Sequence, residues 1–160
     1  MPESRIEARI RELGYELPVA PAPVAAYVPA VTSGSYVYTS GQLPFVDGAL
    51  PETGKVSDSG AEGFVTPEAA KKYAGICLLN ALAAVKSVIG DLDRVQRVVK
   101  VVGFVASEVN FTAQPAVING ASELLGEIFG EAGQHARSAV GVPVLPLDSP
   151  VEVEIIVEYV

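Results

Sequence analysis

The chain of 160 residues has one cysteine, one histidine and no tryptophan, and its 11 Lys and Arg are outnumbered by 19 Asp and Glu. Each scarcity excludes something. One cysteine, Cys77, cannot close an internal disulfide, so nothing favours an oxidising compartment and a cytoplasmic location is expected. One His and one Cys cannot assemble a conventional zinc set, and the acidic residues lack the spacing of a calcium loop. A net charge of −8 sets up a field that repels nucleic acid and anionic lipid. The one basic gathering, Arg94, Arg97 and Lys100, is diluted by Asp91 and Asp93. Neither a GxxxxGK[ST] loop nor a strand-coupled GxGxxG is present to cradle phosphates, and no serine-hydrolase elbow occurs. No unbroken run reaches the roughly 18 to 20 apolar residues that cross a bilayer, and the opening MPESRIEARIRELG lacks the apolar centre of a signal peptide. No metal, cofactor, nucleic acid or membrane partner is expected. Any chemistry falls to Arg, carboxylates, hydroxyls, backbone groups and water.

With 49% hydrophobic residues, the chain can bury one good core and is too short for two ordinary domains. Ile6, Ile10 and Leu13 share a face, so Ser4 to Gly14 reads as a short helix lying on the main body. The segment LPVAPAPV, Leu17 to Val24, is too rich in proline for regular structure. Residues 1–24 are therefore expected to form an N-terminal helix and connector, and 25–160 the main domain. Tyr27 to Gln42 predicts two strands around a turn at Ser33 and Gly34. Leu43 to Val65 is turn-rich and is expected to be a lid or, more simply, a loose loop. Thr66-Pro67-Glu68 opens a helix whose stripe Ala70, Ala74, Cys77, Ala81, Ala84, Val88 suits close packing on a sheet, and Gly90 closes it. A core position is the reading for Cys77. Arg97 to Ser107 has strand composition. A second helix spans Gln114 to Phe129, closed by Gly130. The result is an α+β domain with two helices on one face of a mainly antiparallel sheet, plus the short N-terminal helix.

The end of the chain, HARSAVGVPVLPLDSPVEVEIIVEY, supplies two more strands, the second with Glu on alternate positions. Read alone, Arg137 and Glu152 are a cross-strand ion pair on an exposed face, Glu154 and Glu158 are solvated rim charges, and His135 is a loop residue.

Taken in order, TSGQLP at 39–44, CLLNAL at 77–82, GDLDRVQRVVKVVGFV at 90–105 and HARSAVGVPVLP followed by VEVEIIVEY resemble the YjgF/RidA family of small reactive-imine deaminases. The resemblance covers Tyr27 to the C-terminus. It implies a chorismate-mutase-like fold and a homotrimer with sites in clefts between subunits. It implies further that Arg137 grips a substrate carboxylate and that Glu152 serves the attacking water and departing nitrogen. Tyr27, Gly41, Ser40 and Gln42 would line the same cleft. Those residue types suit the reaction: a guanidinium holds a planar carboxylate bidentately, and one carboxyl group can act in turn as base and acid. Typical members carry cysteine two positions after the arginine; here that place is Ala139, which would lose the thiol but keep its backbone groups among the substrate-binding positions of the cleft. The N-terminal helix and the insert after Leu43 also exceed the compact members, marking a divergent subgroup. The expected function is hydrolysis of small 2-imino or enamino acids to 2-keto acids and ammonia. The alternatives are a non-catalytic binder of small carboxylates such as 2-keto acids and, last, an endoribonuclease. Six tyrosines, five phenylalanines and a positive mean hydropathy leave apolar surface for an interface.

Overall fold

Thr66 ends an extended segment, and its hydroxyl accepts the Ala69 amide at 3.1 Å. Pro67 and Glu68 suit the first turn, so helix α2 starts there and runs Pro67–Ile89, until Gly90 at φ 86 stops it. In α3, Gln114–Phe129, Pro115 lies in the first turn and Gly130 at φ 62 follows the last. The strands are β1 (Ala30–Ser33), β2 (Tyr36–Thr39), β3 (Val95–Ala106), β4 (Ala136–Val142) and β5 (Val151–Tyr159). A short helix α1, Arg5–Glu12, precedes them all. The computed structural model describes residues 2–20, 22 and 26–160. Most of the proline-rich half of the expected connector (Pro21, Pro23, Val24) and the expected domain start at 25 lie outside the described residues.

The sheet order is β1-β2-β5-β3-β4. Only β3 and β4 are parallel, joined through α3; the other pairs are antiparallel. Period-two alternation sorts β5 cleanly: Val151, Val153, Ile155 and Val157 are buried, while Glu152, Glu154, Ile156 and Glu158 are partly exposed on the opposite face. On the buried face α2 and α3 cross closely, because an added Cβ on Gly120 would run into the Lys71 carbonyl oxygen. The expected α2 stripe is buried from Ala70 to Ala84, with Cys77 fully enclosed. Its last member is not: Val88 is exposed, and Val85 and Ile89 are buried instead. The helix end is covered from the side of Leu92 and the turn that follows, so the buried arc shifts there. By length and mean composition α2 is apolar enough to cross a membrane, although charged and polar residues interrupt its run, and it is the largely buried core helix of this fold.

Four backbone donors open any helix without intrahelical partners. In α1 the Asp93 carboxylate takes those of Arg5 and Ile6 and Ser4 Oγ takes that of Glu7, while the Ala8 amide makes the first intrahelical bond, to Ser4 O. Burial pushes Asp93 up, but the Ile6 and Arg5 amides, the Ser4 hydroxyl and the Arg5 charge outweigh it and leave the carboxyl below its ordinary value. Ile10, fully buried, joins α1 to the core.

The expectation of a loose loop after Leu43 is overturned. Val56 continues the sheet past β3, its amide on Ala106 O at 2.7 Å, and Val65 pairs beside it. Both valines are fully buried. Asn80 Nδ2 donates to the Leu43 and Phe45 carbonyls, Ser57 donates to Glu108, and the Gly54 amide donates to Asp148 O at 2.8 Å. Tyr73 donates to Glu52 at 2.8 Å, and burial followed by that carboxylate pushes its hydroxyl up to about 12. A segment tied at so many points is a built part of the domain.

Candidate functional site

Beyond β2, Gln42 exchanges backbone hydrogen bonds with Val153 at 2.8 and 3.0 Å. That bridge lays Gly41 beside Glu152. A Cβ on residue 41 would stand 2.6 Å from Glu152 Oε2 and 2.7 Å from its carboxyl carbon, so glycine is what lets the carboxylate rest there. Tyr27, Gly41, Gln42 and Glu152 line one cavity of about 400 Å³. Ser40 does not line it. Its hydroxyl donates to Val28 O at 2.6 Å and its amide to Pro29 O, so it fastens the segment carrying Tyr27.

Glu152 is half-buried, and among the described residues no donor bonds its carboxylate. Burial raises its pKa, and the charge of Glu154 on the same face raises it further. A carboxyl group with that bias, open to a cavity, can both hold and release a proton nearer neutrality than an ordinary glutamate. Cys77 lies behind the strand, and burial followed by the Glu152 charge raises its thiol well above the ordinary value. It is no nucleophile.

Arg137 is elsewhere. It stands opposite Val101 on β3, whose side chain is on the helix-covered face. Its Nη1 donates to Asn119 Oδ1 at 2.7 Å and Ser122 Oγ at 3.2 Å, both on α3. Ser122 meets His135 Nε2 at 2.8 Å, and His135 Nδ1 meets Gly133 O at 2.6 Å. Because a carbonyl only accepts, Nδ1 carries the proton; in the neutral ring Nε2 then accepts from Ser122. His135 thus orients the serine that steadies the arginine. Both Arg137 bonds use Nη1, and among the described residues no acceptor bonds Nε or Nη2.

Glu152 is registered with Phe104, three residues along β3 from the partner of Arg137, and points to the other face. Two strand spacings and three residues separate their Cα atoms by roughly 14 Å. The same-face ion pair is therefore corrected: in one chain the two residues do not meet. Ala139, opposite Gly103, packs against the core on the helix side and does not line the cavity. A larger hollow of about 540 Å³ brings Arg97 opposite Glu158 near His135, but neither Glu152 nor Arg137 lines it.

Sequence reasoning missed the apolar part of the cavity wall, Leu43, Phe45, Pro146 and Leu147, and the arginine's supports. Asn119 and Ser122 left a signal: two polar residues at i, i+3 beside the apolar stripe of α3. Leu147 left none, since its position depends on a left-handed backbone, φ 58, in the β4–β5 connection.

A family model described as "YjgF/chorismate mutase-like, putative endoribonuclease" matches residues 7–159. The Trypanosoma cruzi protein TCP17 is 43% identical over 96% of this chain and 94% of its own length. A 2-iminobutanoate/2-iminopropanoate deaminase of Dermatophagoides farinae is 31% identical over 88% of this chain and 91% of its own. The crystal structure of Atu1372 from Agrobacterium tumefaciens, a protein of unknown function, superposes with a TM-score of 0.88 at 44% identity, covering 98% of this chain and 93% of that one. A match of that extent includes α1, so the N-terminal helix is shared with this relative. With its mixed five-stranded sheet backed by α2 and α3, and its sequence matched almost end to end, the chain belongs to the YjgF/RidA family.

Proposed function

We propose that the chain is a cofactor-free deaminase that hydrolyses small 2-imino or enamino acids to 2-keto acids and ammonia, working as a homotrimer whose sites each combine two chains. The observation that carries this reading is Glu152, a half-buried carboxyl group of raised pKa facing a cavity and with no hydrogen bond to its carboxylate among the described residues. It receives a proton from water as the water oxygen adds to the imine carbon. It then delivers that proton to nitrogen, giving a carbinolamine; the same carboxylate next takes the carbinol hydroxyl proton as the carbonyl forms and passes it to nitrogen as the C–N bond breaks, and ammonia leaves. Arg137 of a neighbouring chain holds the substrate carboxylate through Nε and Nη2. Its place on edge strand β4, steadied by Asn119 and Ser122, supports that role. The name of the Dermatophagoides relative supports the reaction class. A trimer is supported by the sheet face opposite the helices, where Tyr36, Tyr38 and Val140 are exposed.

Ammonia release from iminopropanoate generated in the assay tests the reading. Glu152→Gln is expected to lower kcat by about 100-fold or more, and Arg137→Ala to lower kcat/KM by roughly 10- to 100-fold. An unchanged rate in either variant removes that residue from its role. The second reading, a carboxylate binder without turnover, has Ala139 in its favour, since the thiol of typical members is absent. Saturable 2-keto acid binding with no imine hydrolysis would establish it. RNA cleavage ranks last against a charge of −8.

A further inference from the structure

Leu147 and Asp148 are consecutive non-glycine residues with φ of 58 and 59. A bulky side chain at positive φ is strained, and such strain persists where the surroundings impose it. Here they do: the Gly54 amide holds Asp148 O at 2.8 Å, Asp148 N reaches back to Leu145 O, and Ser149, fully buried, bonds Val151 O. The outcome is a leucine 68% exposed to solvent yet lining the cavity that holds Glu152. Phe45 stands on the same wall, with its carbonyl held by Asn80 of α2. At about 400 Å³ the cavity is in the range that encloses drug-sized molecules, more room than a three-carbon imino acid needs.

Resting on the deaminase reading, we propose that Leu147 and Phe45 select the substrate's side chain: the preferred molecule is a 2-imino acid with a branched aliphatic or aromatic side chain, its reacting carbon at Glu152. The insert after Leu43 sets this preference in two places, through Phe45 directly and through the Gly54 clamp on the Leu147 turn. A buried methylene in such a pocket discriminates by roughly ten-fold or more.

Two measurements test it. Calorimetric titration with 4-methyl-2-oxopentanoate and with pyruvate reads side-chain preference without requiring turnover. The longer acid is expected to bind about ten-fold more tightly, and in Leu147→Asn, a residue that tolerates the left-handed backbone, the ratio is expected to fall towards one. Equal affinities in the wild-type protein, or an undiminished ratio in the variant with a circular dichroism spectrum matching wild type, overturn the proposal. Should neither acid bind, both this proposal and the carboxylate site fail. Hydrolysis of leucine-derived and alanine-derived imines, compared by kcat/KM, separates the two ideas. Turnover of both without preference overturns the side-chain selection alone and assigns the apolar wall to subunit contact. Preference for the leucine-derived imine supports both.

Discussion

At Gly41 and Glu152 one missing Cβ decides where a carboxylate can lie, and its position decides its proton affinity. The direction of the Glu152 shift has a consequence for stability. A carboxyl group whose folded pKa is raised above the ordinary 4.5 leaves the fold undisturbed while protonated and costs stability as pH rises through the folded pKa. Glu152→Gln is neutral throughout. Urea unfolding is therefore expected to show the variant more stable than wild type at neutral pH and above, with the difference vanishing below the ordinary glutamate value. A variant equally or less stable at neutral pH would contradict the burial of this charge. Stability gained with activity lost is the pattern of a working residue held in an unfavourable setting. TSGQ was legible as a cleft signature through resemblance, but the separate tasks within it were not: Gly41 makes room, Gln42 bridges, and Ser40 fastens Tyr27. Those tasks depend on partners more than ten residues distant.

Elements were legible where local chemistry is strong. Thr66, Pro67 and Gly90 bound α2, and the apolar period with Gly130 bounds α3, because caps and breakers act within one turn. The insert was misread for a complementary reason. Its glycines and prolines signal turns truthfully, but the bonds that pin those turns come from α2, β3 and the β4–β5 connection, which a local pattern cannot register. The α2–α3 contact depends on glycine as well. Gly120→Ala is expected to lower stability by about 1–3 kcal/mol, read as a lower urea midpoint, because the new methyl group meets the Lys71 backbone and not a flexible side-chain tip. A midpoint within experimental error of wild type would mean that the helices can separate without loss.

For the whole molecule, the opposed faces of Arg137 and Glu152 make a specific demand: if both serve one substrate, they belong to different chains. Arg137→Ala and Glu152→Gln proteins, each impaired alone, are then expected, when unfolded and refolded together in equal amounts, to recover roughly a quarter of wild-type activity through randomly mixed oligomers. A site confined to one chain would recover none. Sedimentation of the wild-type protein at the trimer mass is the accompanying expectation.

By itself the sequence determined the kind of layers, the edges of the two long helices, the buried face of β5 and the residue types able to act on an imino acid. Those follow from interactions within a few residues and from composition. Only the tertiary structure decided that the insert is tied down, that Leu147 is held in a left-handed turn beside the acid, and that Arg137 turns to α3 while Glu152 turns away. Strand pairing and long-range hydrogen bonds set these, and a side chain's face depends on the register of strands far apart in the chain.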